Sequence, residues 1–478
     1  MEPARQHKLR DCLRFLACVV LLAALVSFVA ACGRQYGEED GLAYATDWRG
    51  AEVTEVVAWP TDLDGVGAGL TEEPDGIREP EEAAVADIHL KIPSVLGNRR
   101  VRAVGPQAFR GKTALRSVKF PRHVRVIGDG AFAGCTGLVW AEWPSHLLRV
   151  GDDAFYGCSH LEEARLPDRL ERIGARAFYG CIRLERLALP EGLRSIGDHA
   201  FSGCTRLAAV DIPEEVGELG PYAFNGCSML ESVRLPPGLD TVPEGVMSGC
   251  SRLETAQLPH RAKSVGESAF YRCEALRTVE FPPTVGRIGP YAFYGCSSLE
   301  GADIPDGVTE LPHSVFEGRA TLAHVCLPGS LTTVGAYAFK GCARLAAVEI
   351  PSGVTVIGNR AFEGCAGLES VAIPDGVRAI RERTFSGCTA LATVALPAGL
   401  ERIGEGAFAD YVSLAAIAIP DGVTEIGARA FSGCRSLETV ILPDSLEDVA
   451  PDAFADCDGL ERMALPESAK REIHGSGG

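Results

Sequence analysis

The chain has 478 residues, is 46% hydrophobic and 23% charged, and carries a formal charge of -18. So acidic a balance excludes the basic stripe that a nucleic-acid partner needs and opposes electrostatic docking onto anionic lipid. Glycine is abundant at 54 residues and aromatics make up only 7%, which suits a turn-rich, thin-walled architecture.

In chain order, the first element is a targeting segment, predicted over 1–31. Arg5, Lys8, Arg10 and Arg14 form a mostly basic start, and the run from Phe15 to Ala31 is apolar apart from Ser27. That layout reads as an export signal, and its 17 apolar-run residues fall short of the roughly 20 that a membrane span needs. The run ends at Val29-Ala30-Ala31-Cys32. These four residues resemble the lipobox of bacterial lipoproteins, and the resemblance implies lipid attachment at Cys32. Simple secretion and a retained signal anchor are the alternatives.

After a segment at 32–60 comes an acidic stretch at 61–87. Between Gly33 and Asp87 there are 15 Asp and Glu against 3 Arg. Its charge, glycines and prolines predict a flexible insertion.

From there a single beat governs the chain. Fifteen phenylalanines from Phe109 to Phe454 fall on one 23-residue grid, and Met247 fills its one gap. Self-similarity at a fixed period predicts a solenoid, in which stacked units bury what no unit buries alone. With the phenylalanine as position zero, Cys follows at three in thirteen of sixteen units, Leu at six in all, and Pro at twelve in all. The alternation Val210-Asp211-Ile212 has the period of a half-buried strand. Proline ends that strand because it cannot donate to a ladder. The expected fold is a repeat solenoid over 88–466, mainly β with short turn or helical segments, sixteen repeats of 23 residues. Parallel strands stack about 4.8 Å apart, so sixteen coils make a rod or arc roughly 75 Å long. The residues 467–478 form a tail.

The unit, for instance Ala200 to Gly220, resembles the BspA-like leucine-rich repeat of bacterial surface proteins, and so do the segments GLAYATDWRGAEVTEVV and IPSVLGNRRVRAVGPQAF, which correspond to that family's first strands. The resemblance implies a leucine-rich-repeat solenoid on the cell surface. It also implies adhesion to host proteins or to other cells.

The thirteen ladder cysteines, Cys135 to Cys457, are interrupted by Arg319 and Tyr411, and the first repeat has Lys112. Stacked side chains point in parallel, whereas a disulfide needs Cβ atoms about 3.8 Å apart and a dihedral near 90°. The ladder is therefore expected to be buried free thiols acting as small apolar fillers. Off the ladder, Cys326 shares an outward strand face with His324, and Asp303 and Glu349 occupy matching positions in neighbouring coils. This set is the candidate for a metal or an activated thiolate, with chance alignment on a variable face as the alternative. No Ser-His-Asp order, phosphate loop or HExxH sequence suggests a reaction, so neither an enzyme nor a cofactor is expected.

The partner candidates lie at positions eight and ten. In the late coils these are small and apolar: Ser370, Ala372, Thr393, Ala395, Ala416, Ala418, Thr439, Ile441 and Ala464. Earlier coils carry charges there, such as Lys119, Glu142, Arg165 and Arg234. An exposed smooth strip predicts an interaction site. It would take an extracellular protein or glycan, or a second copy of the chain, with the lipid anchor as the membrane contact; a structural stalk without a ligand is the alternative function.

Overall fold

The computed structural model describes residues 34–39, 42–47, 54–56, 88–96, 99–460 and 462–464. The apolar leader, Cys32, the acidic stretch 61–87 and the tail 467–478 lie outside the described residues. What is described is a parallel β-solenoid on the 23-residue grid. Coils are numbered by their grid residue, from coil 1 at Phe109 through coil 7 at Met247 and coil 10 at Phe316 to coil 16 at Phe454.

Most coils contribute two short strands; among the described residues the coils of Phe201 and Phe339 lack the longer one, so the strand expected at Val210-Asp211-Ile212 does not form, although its buried-exposed-buried alternation does. The longer row, at positions eight to ten, begins with Ile88–Lys91 and Leu115–Lys119 and runs to Thr439–Ile441 and Arg462–Ala464. The shorter row, at positions seventeen and eighteen, includes Val126–Ile127, Arg149–Val150 and Glu425–Ile426. Both rows pair in parallel with a register of one full unit, as in Arg149 with Arg172 and Ser370 with Thr393. Ahead of them, Arg34–Glu39 and Leu42–Asp47 form an antiparallel pair, Thr54–Val56 joins its second strand, and Arg99–Val104 connects this sheet to the short row.

A third side, from position minus three to plus three, closes the coil. The helical segments expected beside the turns do not form: among the described residues there is no helix. The backbone explains why. Position minus two is left-handed in coil after coil, including Asp153, Arg176, His199 and Tyr222 at φ between 51° and 57°, and so is the glycine at plus two, as in Gly203 at 75°. A left-handed residue at both ends of a five-residue stretch leaves no room for consecutive α-helical bonds. The N–H groups instead donate to the next coil, Gln107 to the Asp129 carbonyl at 2.8 Å and Phe109 to that of Ala131 at 2.7 Å. The glycine that follows the short strand has a different task. A Cβ on Gly128 would lie 2.8 Å from the backbone of Gly105, so only glycine lets the coils close to this distance.

The core runs the length of the molecule. The phenylalanines are fully buried through Phe431 and stack nearly parallel, 5.3 Å apart from Phe155 to Phe178 and again from Phe178 to Phe201. The spacing widens to 5.9 and 5.7 Å on either side of Phe316, where Val315 replaces the alanine that precedes most grid residues. Every coil repeats one cross-section, so any surface feature is a row.

Candidate functional site

The long strand row is an exposed row that varies over a nearly unvarying interior. Position nine points inward and positions eight and ten point outward, giving the exposed-buried-exposed pattern of Ser232–Arg234, Thr278–Glu280 and Ala416–Ala418. In the early coils this face carries ion pairs, Lys119 to Glu142 at 2.8 Å and Arg186 to Glu163 at 3.0 Å. A hydrogen bond from Arg165, joined by one from Arg186, holds the Glu163 carboxyl below its ordinary range.

The late coils differ. Ladder pairing sets Ala372 beside Ala395, with Ser370 beside Thr393, and Ala418 beside Ile441, with Ala416 beside Thr439. Ile441 is 55% exposed. Ala464 pairs with Ile441 through its backbone. Among the described residues strand pairing lapses between Thr393–Ala395 and Ala416–Ala418. That is the coil where Tyr411 stands on the cysteine ladder, fully buried, with its ring edge-on to Phe408 at 5.7 Å and its hydroxyl unpartnered. The smooth strip therefore consists of two short ladders.

His324 and Cys326 both face outward on one strand. The His324 ring lies over Gly301 of the preceding coil, filling the space a side chain there would take. Cys326 is exposed, and Asp303 accepts a hydrogen bond from its thiol, which together with the carboxylate charge raises its pKa and keeps it protonated. Among the described residues no group of three metal-ligating side chains converges.

The ladder cysteines are buried free thiols, with Cys457 half-buried at the last coil. They do more than fill space. Each thiol lies beside the carbonyl of the grid residue one coil earlier, Cys135 to Phe109 at 3.0 Å, Cys204 to Phe178 at 3.3 Å and Cys388 to Phe362 at 3.2 Å. That carbonyl already accepts the N–H three residues on in its own coil, as Phe132 does from Cys135. Its second lone pair is satisfied by S–H, a weak donor suited to a dry interior, wherever the cysteine is protonated, which leaves Cys296 beside Arg319 as the exception. The signal in the sequence was the choice of Cys over Ala, which has the bulk of a filler but no donor. Burial pushes the thiols of Cys135, Cys181, Cys250 and Cys388 up to about 12. Iodoacetamide on the native protein is therefore expected to modify Cys326 first and half-buried Cys457 next, with the other ladder thiols reacting only after denaturation; mass mapping that finds them alkylated within minutes in the native state contradicts this.

Coil 10 breaks the ladder. Arg319 takes the cysteine position with no exposed surface, donates from Nη1 to the Cys296 carbonyl at 2.7 Å, and leaves Nε and Nη2 unpartnered. Cys296 responds to it. Burial raises its pKa, but a hydrogen bond from Cys273 and the charge and N–H of Arg319 outweigh this and bring it to about 6.

The profile of the BspA type leucine rich repeat region, six copies long, matches this chain in overlapping stretches at 102–231, 148–271, 242–369 and 355–473. The chain belongs to the BspA-type leucine-rich-repeat family. Among solved structures, this BspA-type protein is similar to a leucine-rich repeat protein from Bacteroides ovatus at 27% identity, over 92% of this chain and 94% of that one, with a TM-score of 0.57. A leucine rich cell surface protein from Faecalibacterium prausnitzii matches at 20% identity over 93% and 98% of the two chains, with a TM-score of 0.43. No curated protein matches the BspA-type chain.

Proposed function

We propose that the protein is an exported, lipid-anchored surface protein that binds an extracellular protein or glycan through the long strand row. One observation carries this reading: the positions that set the core repeat almost without change through sixteen coils, while positions eight and ten, exposed on that core, range freely from Lys119 and Glu142 to Ala395 and Ile441. A scaffold that holds its interior constant while its exposed rows vary is suited to presenting a surface, and the long row is the one that passes from charged to smooth along its length. Within it the strip at Ala372, Thr393, Ala395, Ala416, Ala418, Thr439 and Ile441 is the binding surface, because it is free of charge and costs little to desolvate. Cys32 holds the acyl anchor, each buried methylene of which contributes about 0.8 kcal/mol. The reading assigns the chain no catalysis.

The double variant Ala395→Glu with Ala418→Arg tests the surface. Both side chains are exposed, so the circular dichroism spectrum and melting midpoint should stay as in the parent. Capture of a ligand found by screening host and bacterial surface proteins should fall at least tenfold. Equal capture by the double variant moves the site to the charged coils between Arg116 and Glu280.

A further inference from the structure

The third side of the solenoid carries a row of its own. Seven of the ten tyrosines stand there, all at position minus two or plus one: Tyr156, Tyr179, Tyr222, Tyr271, Tyr291, Tyr294 and Tyr337. In coils 3 to 6 they form a terrace. Tyr156 stacks on Tyr179 at 5.0 Å and 4°, Tyr179 meets His199 edge-on at 6.4 Å, and His199 stacks on Tyr222 at 4.9 Å and 5°. The far end of the terrace is closed, since the Tyr222 ring leans into the gap left by Gly245 of coil 7 and its hydroxyl donates to Glu244 at 2.7 Å.

The near end is open. Coil 2 has Gly130 at position minus two and Ala133 at plus one, so no side chain of that coil covers Tyr156, which is 41% exposed. A groove of about 780 Å³ runs here from Gln107 and Arg110 on the coil 1 side across Tyr156 to Tyr179 and His199. Its rim carries carboxylates that are held in place. Asp129 and Asp152 each accept a backbone N–H through Oδ1, from Asp152 and Ala175, both at 2.9 Å. Asp129 Oδ1 also takes Arg149 at 3.3 Å. Asp153 is occupied by Arg176, which reaches both its oxygens at 2.7 and 2.8 Å.

We infer that this groove, on a different side of the coil from the long strand row, binds a neutral pyranose sugar. A pyranose presents one face of C–H bonds, which lies flat on an aromatic ring, and a rim of hydroxyls that need fixed acceptors. Tyr156 supplies the ring. Asp129 and Asp152 supply carboxylate oxygens already positioned by the backbone, so little ordering is required on binding, and hydrogen bonds to a charged acceptor are the stronger kind. The side chains of Gln107 and Arg110 add donors for the ring oxygen and remaining hydroxyls. Asp129, Asp152 and Asp153 are balanced by Arg110, Arg149 and Arg176, so the groove has no surplus positive charge to reward uronic acids or sugar phosphates. The volume falls within the roughly 300–1,000 Å³ of small-molecule sites.

The test uses the full-length chain in detergent, with methyl glucoside, methyl galactoside and N-acetylglucosamine as probes and glucuronic acid as the anionic comparison. Saturation-transfer NMR and calorimetry should show at least one neutral sugar binding. Tyr156→Ala should weaken it at least tenfold and Tyr156→Phe should retain it. Ala133→Arg, which copies the Arg110 of coil 1 at the same register, should fill the groove and also weaken binding tenfold with the circular dichroism spectrum unchanged. Three results overturn the inference: no neutral sugar binding at 10 mM or so, the millimolar end of measurable affinity; preference for glucuronic acid; or sugar binding that survives both Tyr156→Ala and Ala133→Arg.

Discussion

Arg319→Met is expected to stabilise the solenoid by about 1–4 kcal/mol, the range seen when buried charged groups give way to apolar residues of similar volume. The guanidinium is without exposed surface and has two unpartnered nitrogens, and what it donates to Cys296, at the carbonyl and at the sulfur, does not replace lost hydration. Removing it strands no opposite charge, because the Cys296 thiolate takes up a proton and rejoins the ladder as a neutral thiol. Arg319→Cys restores the regular unit and should stabilise by less, since the coils around Phe316 have to close from the wider ring spacing. Cys296 also makes the gain depend on pH. Its folded pKa of about 6 lies below the ordinary 9.0, so between these values the unfolded chain holds a proton the folded chain lacks, and parent stability rises with pH. As pH falls through 6 that contribution is gone. Above 9 the thiols raised to about 12 work the other way and stability declines. Denaturant titrations from pH 6 to 9 should show the rise in the parent and a flat profile at this site in Arg319→Met; a destabilised variant, or an unchanged slope, contradicts the buried pairing.

Truncating one ring in the middle of the core should cost at least as much in the opposite direction. Phe362 is fully buried between Phe339 and Phe385, each 5.3 Å away and within 13° of parallel. Phe362→Ala removes two stacking contacts and leaves a cavity that the backbone ladders on all three sides hold open, for a loss of about 3–5 kcal/mol. Because each coil touches only its neighbours, the damage is local in space but divides the array. Hydrogen exchange should show the coils on either side of Phe362 opening as two units where the parent opens as one. Phe454 is the control. It is only partly buried and stacks on Phe431 alone, so Phe454→Ala should cost less and leave the remaining coils coupled. Equal losses at the two sites would mean the ring ladder is not what couples the coils.

The period by itself determined the architecture. Once Phe, Leu and Pro recur at fixed intervals of one 23-residue unit, equivalent residues must stack, and burial, strand register and the outward pointing of Ala395 and Ala418 follow from that one dimension. Four things were decided only by the tertiary structure. The turn segment is not helical, because left-handed residues such as His199 and Gly203 bracket it. The thiols bond carbonyls 26 residues back rather than lying idle, a contact between unlike positions that a period of 23 does not contain. Arg319 turns into the core instead of reaching solvent, though its letter reads as a surface residue. The tyrosines, scattered in the linear text over two positions, converge on one side and leave Tyr156 uncovered. Each depends on where a side chain goes between coils, and that is set by the distances across the stack, such as the space a missing Cβ leaves at Gly130 or Gly245. Periodicity specifies which residues are neighbours along the solenoid axis, but the filling of the gaps between them is a matter of three-dimensional packing.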